Sequence, residues 1–168
     1  MAARAAVPAP AAYKTLVVAG LSFSLLGDVA LMLDEKWFRA GVAAFLAAQI
    51  LYILAFRPAP GHPVSPGTLL PFLLFGLLMF RLLAPTLGPM KLPVFVYCAA
   101  ITVMAGLAAG RFIDRGGTRS LLAFIGAVLF VVSDSVLAYS RFAKKIPGAR
   151  PLTLGTYFPA QLLIALSI

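Results

Sequence analysis

The chain has 168 residues, 62% of them hydrophobic and 11% charged, with a mean hydropathy of +1.00. A soluble domain carries roughly half apolar and about a quarter charged residues, so this composition excludes one. The formal charge of +9 comes from 14 Lys and Arg against five acids. These cations stand singly or in small groups at the ends of apolar runs, which reads as anchoring to anionic membrane lipids and not as nucleic-acid binding.

Six apolar stretches approach the roughly 20 residues needed to cross a bilayer: about 15–33, 38–56, 67–84, 92–110, 119–139 and 152–168. The joints between them leave no room for a soluble domain. Each span must satisfy its own backbone hydrogen bonds in hydrocarbon, so the predicted class is all-α, a polytopic membrane bundle of six transmembrane helices. Residues 1–12 are Ala/Pro-rich with one cation, Arg4, and read as a flexible lead-in to a single transmembrane domain over 13–168. The expected location is integral and multi-pass, the cell membrane if the source is bacterial.

The first span contains Gly20-Leu-Ser-Phe-Ser-Leu-Leu-Gly-Asp28. An ionised carboxylate in hydrocarbon is costly, so Asp28 is a functional-site candidate by default. The second span carries Phe38, Gly41, Phe45, Gln49 and Tyr52 at helical spacing, which puts them on one face. Gln49 there admits both a packing role, hydrogen-bonded to a neighbouring helix, and a pocket role. The third span, with Pro71 and Arg81, is otherwise featureless, and Arg81 reads as snorkelling to the interface. The fourth contains Tyr97, Cys98 and Thr102 and leaves through a basic loop, Arg111 to Arg119. The fifth repeats the first: Gly126-Ala-Val-Leu-Phe-Val-Val-Ser-Asp134, again with a Leu three residues on, Leu137 matching Leu31. In the sixth, Pro159 deprives a carbonyl of its donor and predicts a kink or a cavity lining. Cys98 and His62 are each the only residue of their kind. No intrachain disulfide can form, and neither a metal site built on His or Cys nor a cofactor is expected.

Depth connects these residues. Spans one and five run the same way, and each aspartate lies about five residues before its span's end, roughly 7–8 Å inside the same face. Tyr97 and Tyr157 start from that face on even-numbered spans, with Gln49 and Gln161 deeper. The expected site is therefore one cavity with Asp28 and Asp134 catalytic and Ser24, Gln49, Tyr52, Tyr97, Ser133, Tyr157 and Gln161 binding substrate. Gly20, Ser24 and Gly27 form a small-residue stripe expected to make room for a lipid head. Two carboxylates at one depth can divide the roles of acid and base. They also admit a structural reading as hydrogen-bonded pins or partners of Arg, although no Lys or Arg lies within a turn before either.

Taken in order, Gly20 to Asp28, Phe38-x-x-Gly41-x-x-x-Phe45 with Tyr52 and Phe56, Gly126 to Asp134, and Thr156-Tyr157 with Ala160-Gln161 resemble the YhhN-type lysoplasmalogenase family of membrane proteins. The resemblance implies metal-free hydrolysis of the vinyl-ether bond of a lysoplasmalogen to a fatty aldehyde and a glycerophospho-alcohol. It also implies that the two aspartates carry the chemistry and that the partners are a lysophospholipid and membrane lipids; a homo-oligomer is compatible with it. In the expected mechanism one Asp protonates the β-carbon of the enol ether and the other activates water. The chain departs from the family pattern in having Gln49 where a His is usual, and in having six spans where about eight are usual. Residues 1–12 resemble the loop that would follow the missing pair. The alternatives are a hydrolase of another lysolipid, or a proton-coupled transporter or lipid-binding protein.

Overall fold

The computed structural model describes residues 10–58 and 63–168. The first nine residues of the expected lead-in and the loop residues 59–62, His62 included, lie outside the described residues. Six helices follow one another: α1 (Ala11–Met32), α2 (Phe38–Phe56), α3 (Pro66–Leu83), α4 (Lys91–Arg115), α5 (Gly117–Ala138) and α6 (Ala149–Leu166). Five are long and apolar enough to cross a membrane by length and composition. The exception to the expected six is α6, whose 18 residues include Arg150, Thr153, Thr156, Tyr157 and Gln161. Tyr157 and Gln161 turn toward other helices, so the polarity that lowers its hydropathy is internal to the bundle.

The joints follow from local chemistry. A 3-10 turn, Glu35–Trp37, closes the α1–α2 hairpin, and a second, Gly88–Met90, leads into α4. Between α4 and α5 the expected loop over 111–119 shrinks to a corner at Gly116, because Gly116 and Gly117 both adopt positive φ, 61° and 79°. The α5 helix runs on into a π-helical turn, Tyr139–Ala143. Pro159 sits inside α6, and its side chain is exposed and does not line the cleft described below.

Each helix buries a narrow stripe and leaves the rest apolar and outward. On α1 the stripe is Tyr13, Val17, Gly20, Ser24 and Gly27, while Val18, Leu25, Leu26, Val29 and Met32 face out. That distribution suits a bundle whose solvent is hydrocarbon: small residues let backbones approach, and large apolar ones meet lipid. The helices pack α1 on α2, α2 on α4, α4 on α5, α5 on α6, and α6 lightly on α1, with α3 outside against α4.

Glycines set the closest approaches. A Cβ on Gly27 would lie 2.7 Å from the Phe45 ring, and one on Gly20 would meet the ring of Tyr52. The small-residue stripe of α1 therefore admits aromatic side chains of α2, where room for a lipid head was expected. On α5 a Cβ at Gly126 would lie 2.8 Å from the Ala160 carbonyl oxygen, so backbone meets backbone there.

Candidate active site

Asp28 and Asp134 each sit four residues before the last residue of their α-helix, at the same face of the bundle. Each is held by a tyrosine from an even-numbered helix. Tyr157 Oη donates to Asp28 Oδ2 at 2.7 Å, tying α6 to α1, and Tyr97 Oη donates to Asp134 Oδ2 at 2.5 Å, tying α4 to α5. No Lys or Arg forms a salt bridge with either carboxylate among the described residues.

A second layer lies behind these pairs. Gln49, fully buried on α2, reaches Asp134 Oδ2 with its Nε2 at 3.5 Å, while its Oε1 has no partner. Tyr52 Oη donates to Gln161 Oε1 at 2.9 Å, and Gln161 Nε2 donates to Ser24 Oγ at 3.1 Å, a chain joining α2, α6 and α1. Ser133, also buried, donates to the Thr153 carbonyl at 3.0 Å. The residues expected to bind substrate thus fall into separate groups: Tyr97 and Gln49 on Asp134, Tyr157 on Asp28, and Tyr52, Gln161 and Ser24 bonded to one another.

A mostly apolar cleft with a cavity volume of about 80 Å³ enters between α2, α3, α4 and α5. Of the expected site residues, Tyr97 and Asp134 line it; the others do not. Leu31 and Leu137, the matching positions three residues after each aspartate, both line it as well. Phe45 is common to the cleft and to the second carboxylate pair, since its ring stands edge-on to Tyr157 at 5.8 Å and to Phe130 at 6.3 Å. The expected single cavity is instead a cleft at Asp134 with the Asp28–Tyr157 pair beyond an aromatic wall.

Sequence reasoning missed the far wall. Phe75, Gly76, Met79 and Leu83 come from α3, where only Pro71 and Arg81 drew notice. Gly76 packs against Thr102 of α4, where a Cβ would lie 2.6 Å from the Thr102 methyl. A glycine within a long-side-chain helix face was the available signal. Within the described residues no group of His, Cys, Asp and Glu could hold a metal ion.

These observations define a class of protein: an integral, multi-pass membrane bundle in which two in-span carboxylates, each on a tyrosine, stand beside an apolar cleft. The chain belongs to the YhhN family, the match extending over residues 1–168. It is 38% identical over 164 residues to a pig protein named lysoplasmalogenase TMEM86B, covering 97% of this chain and 67% of that one. To human lysoplasmalogenase TMEM86A it is 34% identical over 158 residues, covering 91% and 65%. An Escherichia coli O157:H7 protein named uncharacterized membrane protein YhhN is 27% identical over 157 residues, covering 94% and 76%. The chain spans about two thirds of the length of the TMEM86B relatives it matches. No solved structure matches it.

Proposed function

We propose that this chain hydrolyses the vinyl-ether bond of a lysoplasmalogen, with Asp134 as the general acid and, once ionised, as the base. One observation carries the assignment: among the described residues, Asp134, hydrogen-bonded by Tyr97, is the one carboxylate lining a mostly apolar cleft. The names of the mammalian relatives supply the substrate class.

The alkenyl chain lies along the cleft with its enol ether at Asp134. Asp134 gives its proton to the β-carbon, and the electron pair of the double bond forms the new C–H bond, leaving an oxocarbenium centre at the carbon bearing oxygen. Tyr97, already donating to Oδ2, stabilises the carboxylate that this step creates. Water adds to that centre and surrenders a proton to the Asp134 carboxylate that the first step left ionised, since Asp28 stands beyond the aromatic wall. The resulting hemiacetal then collapses, breaking the carbon–oxygen bond to release the aldehyde and a glycerol hydroxyl. Net consumption is one water, and the proton taken from it restores Asp134 to its starting state. General acid–base steps of this kind contribute roughly 10²–10⁴-fold each.

The test is product identity. Membranes holding the chain, supplied with alkenyl and acyl lysolipids of the same head group, should release fatty aldehyde from the first and no free fatty acid from the second. Fatty acid from the acyl lysolipid without aldehyde from the alkenyl one would replace this reading with that of an ester hydrolase.

A further inference from the structure

At its open end the apolar cleft runs into a second, polar space lined by Glu35, Lys36, Arg39 and Arg141, and the two share Phe38, Met90, Arg141 and Phe142. We propose that this vestibule is the subsite for the phosphodiester of the lysolipid head group, with Arg141 as the residue that binds it. The inference rests on the function proposed above and names the part of the substrate that the cleft itself leaves unaccounted for.

Register makes the case first. Arg141 follows Asp134 by seven residues and lies in the π-helical turn that continues α5; both side chains line the cleft, and Arg141 stands about two turns, roughly 10 Å, farther along. Only the glycerol backbone separates the vinyl ether of a lysoplasmalogen from its phosphate. A guanidinium that far along, on a flexible stem, therefore meets the phosphate when the ether is at Asp134.

The surroundings hold Arg141 for that task. Its guanidinium stacks over the Phe38 ring, 4.6 Å from the centroid, and Phe38 is in turn edge-on to Phe142 at 6.1 Å. The cation thus sits on an aromatic rim between apolar cleft and water, where cation–π attraction fixes it without neutralising it. Its ion-pair partner is Glu35, an exposed carboxylate that also lines the vestibule. Glu35 occupies the position an incoming phosphodiester would take, so the head group binds by displacing it. Arg39 adds positive charge at the same mouth, whereas Lys36 is engaged by Asp34 at 3.3 Å. Planar bidentate recognition of phosphate favours Arg for the central role.

The chain carries its own reporter. Trp37, its only tryptophan, is in the same 3-10 turn as Glu35 and Lys36 and precedes Phe38. The chain in a neutral detergent is titrated, by Trp37 fluorescence, with a saturated alkyl-ether lysophosphocholine, which cannot undergo the reaction, and with the alkylglycerol that lacks the phosphate. The wild type should bind the phospho-ligand at least about tenfold more tightly, the worth of one charge-assisted hydrogen bond. Arg141→Gln should erase that margin while leaving alkylglycerol affinity within about twofold, Arg141→Lys should keep part of it, and Glu35→Gln should widen it. Equal affinity of the wild type for both ligands, or an unchanged margin in Arg141→Gln, overturns the proposal. So does inorganic phosphate alone matching the ether lipid, since the vestibule would then act apart from the cleft. A margin that behaves as expected without any aldehyde released from an alkenyl lysolipid keeps the subsite and removes the hydrolytic reading.

Discussion

Gly27→Ala tests whether the aromatic wall between the two carboxylate pairs is as tight as the geometry requires. The new methyl would lie 2.7 Å from Phe45 Cδ2 and Cε2 and 3.0 Å from Cγ, well inside contact distance, so the ring must move. Phe130 and Tyr157 stand edge-on to it, leaving the cleft as the direction of least resistance. Overpacking of this kind costs about 1–3 kcal/mol, and a ring pushed into the cleft should raise KM several-fold while the chemical step keeps most of its rate. The assay pairs thermal unfolding in detergent with initial rates of aldehyde release. Phe45→Leu, which removes the obstructing ring atoms, should be destabilising alone yet relieve Gly27→Ala in the double variant, a coupling of opposite sign to simple addition. Gly27→Ala with wild-type stability and KM, or a double variant whose losses merely add, would refute the reasoning.

Tyr97→Phe removes the hydroxyl 2.5 Å from Asp134 and should lower kcat about ten- to a hundredfold, the value of a hydrogen bond to a charged group, with thermal stability nearly unchanged. Rates within twofold of wild type would remove Tyr97 from the proposed mechanism. Gly126→Ala should be more damaging to the fold than Gly20→Ala. The first sets a methyl 2.8 Å from the Ala160 carbonyl oxygen and 3.1 Å from the Ile164 nitrogen, backbone that cannot yield, whereas the second meets the ring of Tyr52. Comparison of melting temperatures decides the order.

Hydropathy was enough to locate all six helices, because in hydrocarbon every spanning segment must be a long apolar helix. It misjudged their ends where glycine acts: the corner at Gly116 lets α4 and α5 run almost to each other through a stretch whose charges suggested a loop. Asp28 and Asp134 stood out because an ionised carboxylate is costly in such a run, and equal depth put Tyr97 and Tyr157 at their level, while which tyrosine bonds which carboxylate came only from the fold. The cleft was illegible for a physical reason. An apolar face that meets lipid and one that meets a cavity have the same composition, so nothing in Phe75, Met79 or Leu83 distinguishes the wall they form. Gly20 and Gly27 misled for a related one: a glycine announces close approach but not the identity of what approaches.

The central claim is that Asp134 supplies the proton that breaks the vinyl ether, and Asp134→Asn tests it most directly. Asparagine keeps the size of the side chain and can still accept from Tyr97, so the bundle should melt as the wild type does. Aldehyde release from an alkenyl lysolipid should fall by at least about 10²-fold, the lower bound for loss of a general acid. A folded Asp134→Asn protein that turns over within tenfold of wild type would contradict the account.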